Sequence, residues 1–147
     1  MTRGWRRDGY LISTDASMLD LEVVHGYLSR SYWAAGVPED VVRRSIENSL
    51  CFGVYRGEEQ AGFARVVTDR ATFAYLADVF VLDEHKGQGI GKWLLEVILS
   101  HPDLQGLRRW MLATRDAHDL YRRYAFTELA RPGIFMERKD SNYKTGP

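Results

Sequence analysis

The chain has a single cysteine, Cys51. An internal disulfide is therefore excluded, and so is a metal site built on CxxC spacing. Set in an apolar run, Cys51 reads as a small buried hydrophobe. Charge of one sign is also missing, because 20 basic residues balance 20 acidic ones. That balance argues against a protein held to nucleic acid by bulk charge. The pairs Arg6-Arg7, Arg43-Arg44, Arg108-Arg109 and Arg122-Arg123 are short and read as solvated faces. No window approaches the ~18 uninterrupted apolar residues of a membrane-spanning helix. The start, MTRGWRRDGY, is basic but has no apolar stretch behind it, so it does not read as a secretory signal. No metal, no nucleic acid, no membrane and a cytoplasmic location are the simplest expectations. The oligomeric state is open, a homodimer being one option.

What is present is an ordinary globular composition, 45% apolar and 27% charged over 147 residues. That suffices for one domain with a sizeable core. Residues 1–9 read as a flexible N-terminal tail, 10–140 as the domain and 141–147 as a flexible C-terminal tail. YLIST (10–14) reads as a first strand. Asp15 or Ser17 is positioned to cap a following helix, along which Leu21, Val24, His25 and Leu28 recur at helical spacing. His25 on that stripe reads as a packed residue. SYWAAGVPED is a loop, with Pro38 opening a second short helix over Val41, Val42, Ser45 and Ile46. LCFGVY and QAGFARVVTD flank a Gly-containing break and predict a hairpin. ATFAYLADVFVL reads as a long strand covered on both faces. Ile90, Trp93, Leu94, Val97 and Ile98 then mark an amphipathic helix. A strand over 107–113, a helix carrying Ala117, Leu120, Tyr121 and Tyr124, and a last strand over 134–137 complete the order. Strands and helices in this order predict a mixed sheet with helices on both sides.

Gly87, Gly89 and Gly91 fall within five residues, between the long strand and the amphipathic helix. Unpaired amides and the positive end of the helix dipole favour an anion there. Glycine lets a ligand approach the backbone without a Cβ in the way. The P-loop pattern GxxxxGK[ST] does not fit, and neither does GxGxxG, since the spacing here is GxGxG.

KGQGIG resembles the [Arg/Gln]xxGx[Gly/Ala] signature of the GNAT superfamily of N-acetyltransferases. VFVLDEHKGQGIGKWLLEVIL is similar to that family's long strand, loop and helix. DAHDLYRRYAF is similar to its later helix, where AxxLYxxxGF is common. The two matches stand in order, separated by a strand, over residues 75–127. The resemblance implies an α/β (α+β) fold: a mixed, mostly antiparallel twisted sheet of six to seven strands flanked by about four helices. It implies acetyl-CoA as donor and acetyl transfer to a primary amine of a small molecule or peptide. It also implies that Lys86, Gly87, Gln88, Gly89, Ile90, Gly91 and Lys92 hold the pyrophosphate. The strand at Phe80 and Val81 would meet the pantetheine arm, with an N–H near Val81 or Leu82 as oxyanion donor. Departures are present. Lys86 replaces Arg or Gln, Ala125 replaces a glycine, and Thr114 stands where many members carry an Asn that contacts the cofactor.

Acyl transfer needs an acid for the departing thiolate and a base for the amine. Tyr121 holds the tyrosine position of LYxxxGF and is the candidate acid, its other reading being packing on the stripe with Leu120 and Tyr124. Asp78 is the one carboxylate in its apolar strand. Alternation places it on a face with Leu76 and Phe80, opposite Tyr75 and Ala77. It reads equally as a base and as a structural hydrogen-bond acceptor. YLADVFV is similar to the corresponding strand of diamine acetyltransferases, but Ala77 replaces their glutamate. Tyr27, Tyr32, Trp33, Phe73 and Tyr75 either wall an acceptor pocket or close the core. The competing function is a non-catalytic module of the same fold that binds CoA or acetyl-CoA.

Overall fold

The computed structural model describes residues 1–140. The tail expected at 141–147 lies outside the described residues. Ten elements follow in chain order: β1 (Gly4–Arg7), β2 (Tyr10–Ser13), α1 (Leu21–Leu28), α2 (Glu39–Glu47), β3 (Leu50–Arg56), β4 (Glu59–Thr68), β5 (Phe73–Val81), α3 (Ile90–Ser100), β6 (Arg109–Leu112) and α4 (His118–Arg122). The strands form one six-stranded sheet in sequence order. Every neighbouring pair is antiparallel except β5 with β6, which is parallel. No helix among the described residues is long and apolar enough to cross a membrane.

Both ends of the order differ from the sequence expectation. Residues 4–7, read as part of a flexible tail, are β1 and pair with β2 from Gly4↔Ser13 to Arg7↔Tyr10. Asp8 and Gly9 both take positive φ, +51° and +84°. That is the conformation a two-residue type I′ hairpin requires, and Asp-Gly favours it. At the other end, the strand expected over 134–137 does not form. Pro132, which has no N–H to offer a ladder, opens a 3-10 turn at Pro132–Ile134 instead. β6 is therefore an outer strand. The cap of α1 is Asp20, which accepts from the N–H groups of Glu22 and Val23; Asp15 caps a 3-10 turn before it.

The sheet separates two cores. One face, with Ile12, Phe52, Val54, Ala74 and Leu76, is covered by α3 through Trp93, Leu94 and Ile98; Tyr121 and Tyr124 pack against it. The other face, with Cys51, Phe63 and Phe80, is covered by Val24, Leu28 and Val42 of α1 and α2. Each of the fully buried valine, leucine, isoleucine and phenylalanine side chains among these contributes about 1.5–3 kcal/mol of transfer free energy. Burial pushes the Cys51 thiol up to about 12, so it stays protonated at neutral pH, as a small hydrophobe should. His25 Nε2 lies 2.9 Å from the Val37 carbonyl and ties α1 to the loop beyond it.

α4 closes with Ala125 at φ +68° and with Phe126 N–H donating to the Tyr121 carbonyl (3.2 Å). The left-handed region costs a non-glycine residue about 1–2 kcal/mol. Part of that is offset because glycine is freer in the unfolded chain. Ala125→Gly should therefore stabilise the fold by about 0.5–1 kcal/mol, which is a rise of roughly 2–3 °C in melting temperature for a chain of this size. Calorimetry showing a lower melting temperature would refute this account.

Candidate functional site

The glycine loop joins β5 to α3. Lys86 Nζ pairs with Asp83 Oδ1 (2.9 Å), which ties the loop's entrance to the preceding 3-10 turn. Gly87 and Gly89 take φ of +82° and +77°, so their need for glycine is set by the backbone itself. Gly91 is different. It sits inside the first turn of α3, and a Cβ there would find nothing within 4 Å. The helix has no side-chain cap, and its first backbone bond runs from Trp93 N–H to the Gly89 carbonyl. None of the N–H groups from Gly87 to Lys92 has an acceptor among the described residues. Donors, dipole and an open surface coincide, and that combination suits a diphosphate. The Lys92 side chain is exposed beside them.

The second part of the site is a parting in the sheet. β5 and β6 pair only from Phe73↔Arg109 to Leu76↔Leu112. Beyond Leu76, β5 bulges. Phe63 faces Phe80 and Arg65 faces Ala77, so Asp78 and Val79 together oppose one residue of β4. Asp78 carries the strain at φ +56°. The bulge overturns the expected alternation: Leu76 and Phe80 belong to opposite cores, and Asp78 lies on the Phe80 side. Leu82 N–H donates to the Ala61 carbonyl (2.8 Å), so it is not available as an oxyanion donor. Antiparallel ladders alternate their edges, so Val81, opposite Gly62, turns its N–H toward the parting. The Phe80 side chain is core, stacked on Tyr27 with centroids 4.1 Å apart, and only its backbone is near the parting.

A cleft of about 1290 Å³ opens at this place. Its walls are Tyr75–Val79 of β5, Leu112–Ala117 after β6, Tyr121 of α4, and Tyr27, Tyr32 and Trp33 from α1 and its following loop. Tyr121 is half-buried, its ring edge-on to Phe126 at 5.8 Å. Burial first, then the nearby Tyr32 and Asp116, hold its phenol above the usual tyrosine range. Tyr124, three residues on, lies outside the cleft and donates to Glu96 (2.8 Å). Thr114 lines the cleft, and its hydroxyl oxygen accepts from Ala117 N–H (3.1 Å) at the entrance to α4.

The aromatic residues divide. Tyr32, Trp33 and Tyr75 line the cleft, whereas Phe73, 37% exposed, lies beyond its rim. Phe73 begins β5 where the strand is still paired with β6, so its ring cannot reach the parting. Tyr32 is held at its hydroxyl, which accepts from Arg115 N–H (3.0 Å), and the Arg115 guanidinium lies 3.8 Å over its ring. Asp78 is engaged. Trp33 Nε1–H donates to Oδ1 and Arg65 Nε–H to Oδ2, both at 2.8 Å. Sequence reasoning misses Arg65, Arg115 and Asp116. Only Arg65 carries a signal: a lone cation in GFARVV is the counterpart of the lone carboxylate in YLADVFV.

Comparison with known proteins places these features in context. The family model for the acetyltransferase (GNAT) domain matches residues 47–128. A protein of Gibberella zeae described as a candidate acetyltransferase is 36% identical over 142 residues, covering 81% of this chain and 79% of its own. The crystal structure of a candidate GNAT-family acetyltransferase from Xanthomonas campestris pv. campestris is 50% identical, with a TM-score of 0.89 over 92% of this chain and 96% of that one. The crystal structure of a candidate acetyltransferase from Clostridium acetobutylicum, described as being with acetyl-CoA, shares the fold at 11% identity, with a TM-score of 0.62 over 95% of this chain and 96% of that one.

Proposed function

Because the chain belongs to the GNAT acetyltransferase family, we propose that it transfers the acetyl group of acetyl-CoA to a primary amine of a small molecule or peptide. The donor supplies an activated thioester acyl group. Support for this donor comes from the Clostridium acetobutylicum relative described with acetyl-CoA and from the bare, uncapped start of α3. The amides from Gly87 to Lys92 hold the diphosphate, and the Lys92 ammonium adds charge nearby. The Val81 N–H, turned into the parting, donates to the carbonyl oxygen where negative charge grows. The Tyr121 hydroxyl gives its proton to the departing sulfur. Its burial serves that role by keeping the phenol protonated. The amine enters against Tyr32, Trp33 and Tyr75, and its proton leaves through water in the cleft.

The observation that carries this reading is that Tyr121 and the parted strands line one cleft, from which β5 runs on, through the Asp83–His85 turn, toward the glycine loop. Thiol release from acetyl-CoA tests it, measured with phenethylamine, spermidine, lysine, an aminoglycoside and a peptide with a free N-terminus. Turnover of at least one amine is expected. Calorimetry detecting no acetyl-CoA binding at millimolar concentration would end the reading. Binding without turnover across the panel would instead make the fold a CoA-sensing module, an alternative that the ion-paired Asp78 favours.

A further inference from the structure

We infer that Asp78 is a positioning residue: its carboxylate staples the β5 bulge to the Trp33 loop, and through that loop it shapes the acceptor side of the cleft. Three parts of the chain meet at this side chain, which is only 11% exposed, and Arg65 links a fourth. Trp33, from the loop after α1, donates to Oδ1, and Arg65, from β4, donates to Oδ2. Arg65 Nη1–H also donates to Ser49 Oγ (3.2 Å), at the entrance to β3. The bulge itself supplies the carboxylate from a left-handed backbone. A non-glycine residue persists there only when its surroundings over-determine it, and the Trp33 and Arg65 donors, with Arg65 itself braced on Ser49, do so.

The staple extends around the cleft. The Trp33 ring packs edge-on against Tyr32 (5.1 Å, 80°) and tilted against Tyr27 (6.2 Å, 45°). Tyr32 is anchored to the Arg115 backbone, three residues before α4 and its Tyr121. The contacts therefore run from the bulge through the aromatic wall to the segment that presents the candidate acid. Because Arg65 neutralises Asp78, the pair contributes shape rather than net charge. This differs from the base role that the sequence leaves open. The kinetic part of the inference rests on the proposed acetyl transfer; the structural part does not.

The test uses Asp78→Gly, which keeps the left-handed backbone and deletes the carboxylate, and Trp33→Phe, which keeps a ring and deletes the N–H. The double variant and Asp78→Asn complete the set. Hydrogen–deuterium exchange over residues 29–37 needs no ligand, and Ala34, Gly36 and Val37 amides are hydrogen-bonded within that segment. Exchange there should rise at least tenfold in Asp78→Gly and in Trp33→Phe, with β3 and β4 unchanged. With whichever panel amine is turned over, KM for that amine should rise about tenfold in both single variants. Acetyl-CoA affinity should stay within threefold. The double variant should match Asp78→Gly alone, since both changes break one contact. Asp78→Asn should retain part of the effect through its remaining acceptor oxygen. Unchanged exchange would overturn the staple. If turnover instead drops 100-fold or more at unaltered KM, equally in the Asn and Gly variants, Asp78 is a base and the positioning role falls. If wild-type protein fails to bind acetyl-CoA, the acetyl-transfer reading falls while the exchange measurement still decides the staple.

Discussion

Gly91→Glu should weaken acetyl-CoA binding by 100-fold or more while making the fold more stable. A Cβ at this position meets nothing within 4 Å, so the protein accommodates the side chain. Glycine inside a helix costs about 1 kcal/mol relative to better helix formers. A carboxylate in the first turn gains a further ~0.3–1 kcal/mol from the helix dipole. Both local terms favour the variant. Binding responds in the opposite sense, because bulk and negative charge then occupy the space that the uncapped amides offer to a diphosphate. A 100-fold loss corresponds to about 2.8 kcal/mol. Gly91→Ala should show the same separation in miniature, with a slightly higher melting temperature and about tenfold weaker binding. Calorimetric titration with acetyl-CoA, run beside thermal unfolding, reads both quantities. Affinity retained within threefold in Gly91→Glu would show that no ligand sits over this turn.

Tyr121→Phe should slow turnover by about 100-fold or more, the usual size of a general-acid contribution, while acetyl-CoA affinity changes by less than threefold. The ring stays and its contact with Phe126 is kept, so unfolding temperature should barely move. The pH profile carries a second expectation. Burial raises the Tyr121 phenol above its ordinary value of 10.0, so the proton it must donate is present throughout the neutral and mildly alkaline range. Loss of that proton is displaced to higher pH than in an ordinary tyrosine. Turnover between pH 7 and 9 should therefore show no decline assignable to this group. Any earlier alkaline fall that survives in Tyr121→Phe belongs to another residue. An unchanged rate constant in the variant would remove Tyr121 from the reaction.

Much of this site is legible in the sequence because its signals are local. Three glycines between an apolar strand and an amphipathic helix mark a candidate anion seat, and two of them take positive φ. The LYRRYAF pattern identifies Tyr121 and leaves Tyr124 apart, and the structure puts one in the cleft and the other outside it. The Asp8-Gly9 turn is equally local. Its positive φ values show that the RDGY segment holds a hairpin signal, which a reading of residues 1–9 as a tail overlooks. Asp78 is the contrary case. Its strand reads as clean alternation, and the alternation fails because one extra residue bulges out opposite β4. Nothing within YLADVFV reveals the partners Trp33 and Arg65, which lie 45 and 13 positions away.

Periodicity, turn chemistry and glycine spacing by themselves determined the order of most elements and a candidate anion seat, and the resemblance of LYRRYAF to a family pattern singled out the candidate acid, since each signal depends on neighbours within a turn or a strand pair. The tertiary structure alone decided which faces Leu76 and Phe80 occupy, which N–H groups remain to face the parting, and that a half-buried guanidinium engages the lone carboxylate. Those outcomes depend on register between strands and on charge pairing across them. Both are settled only when the sheet closes against its two cores.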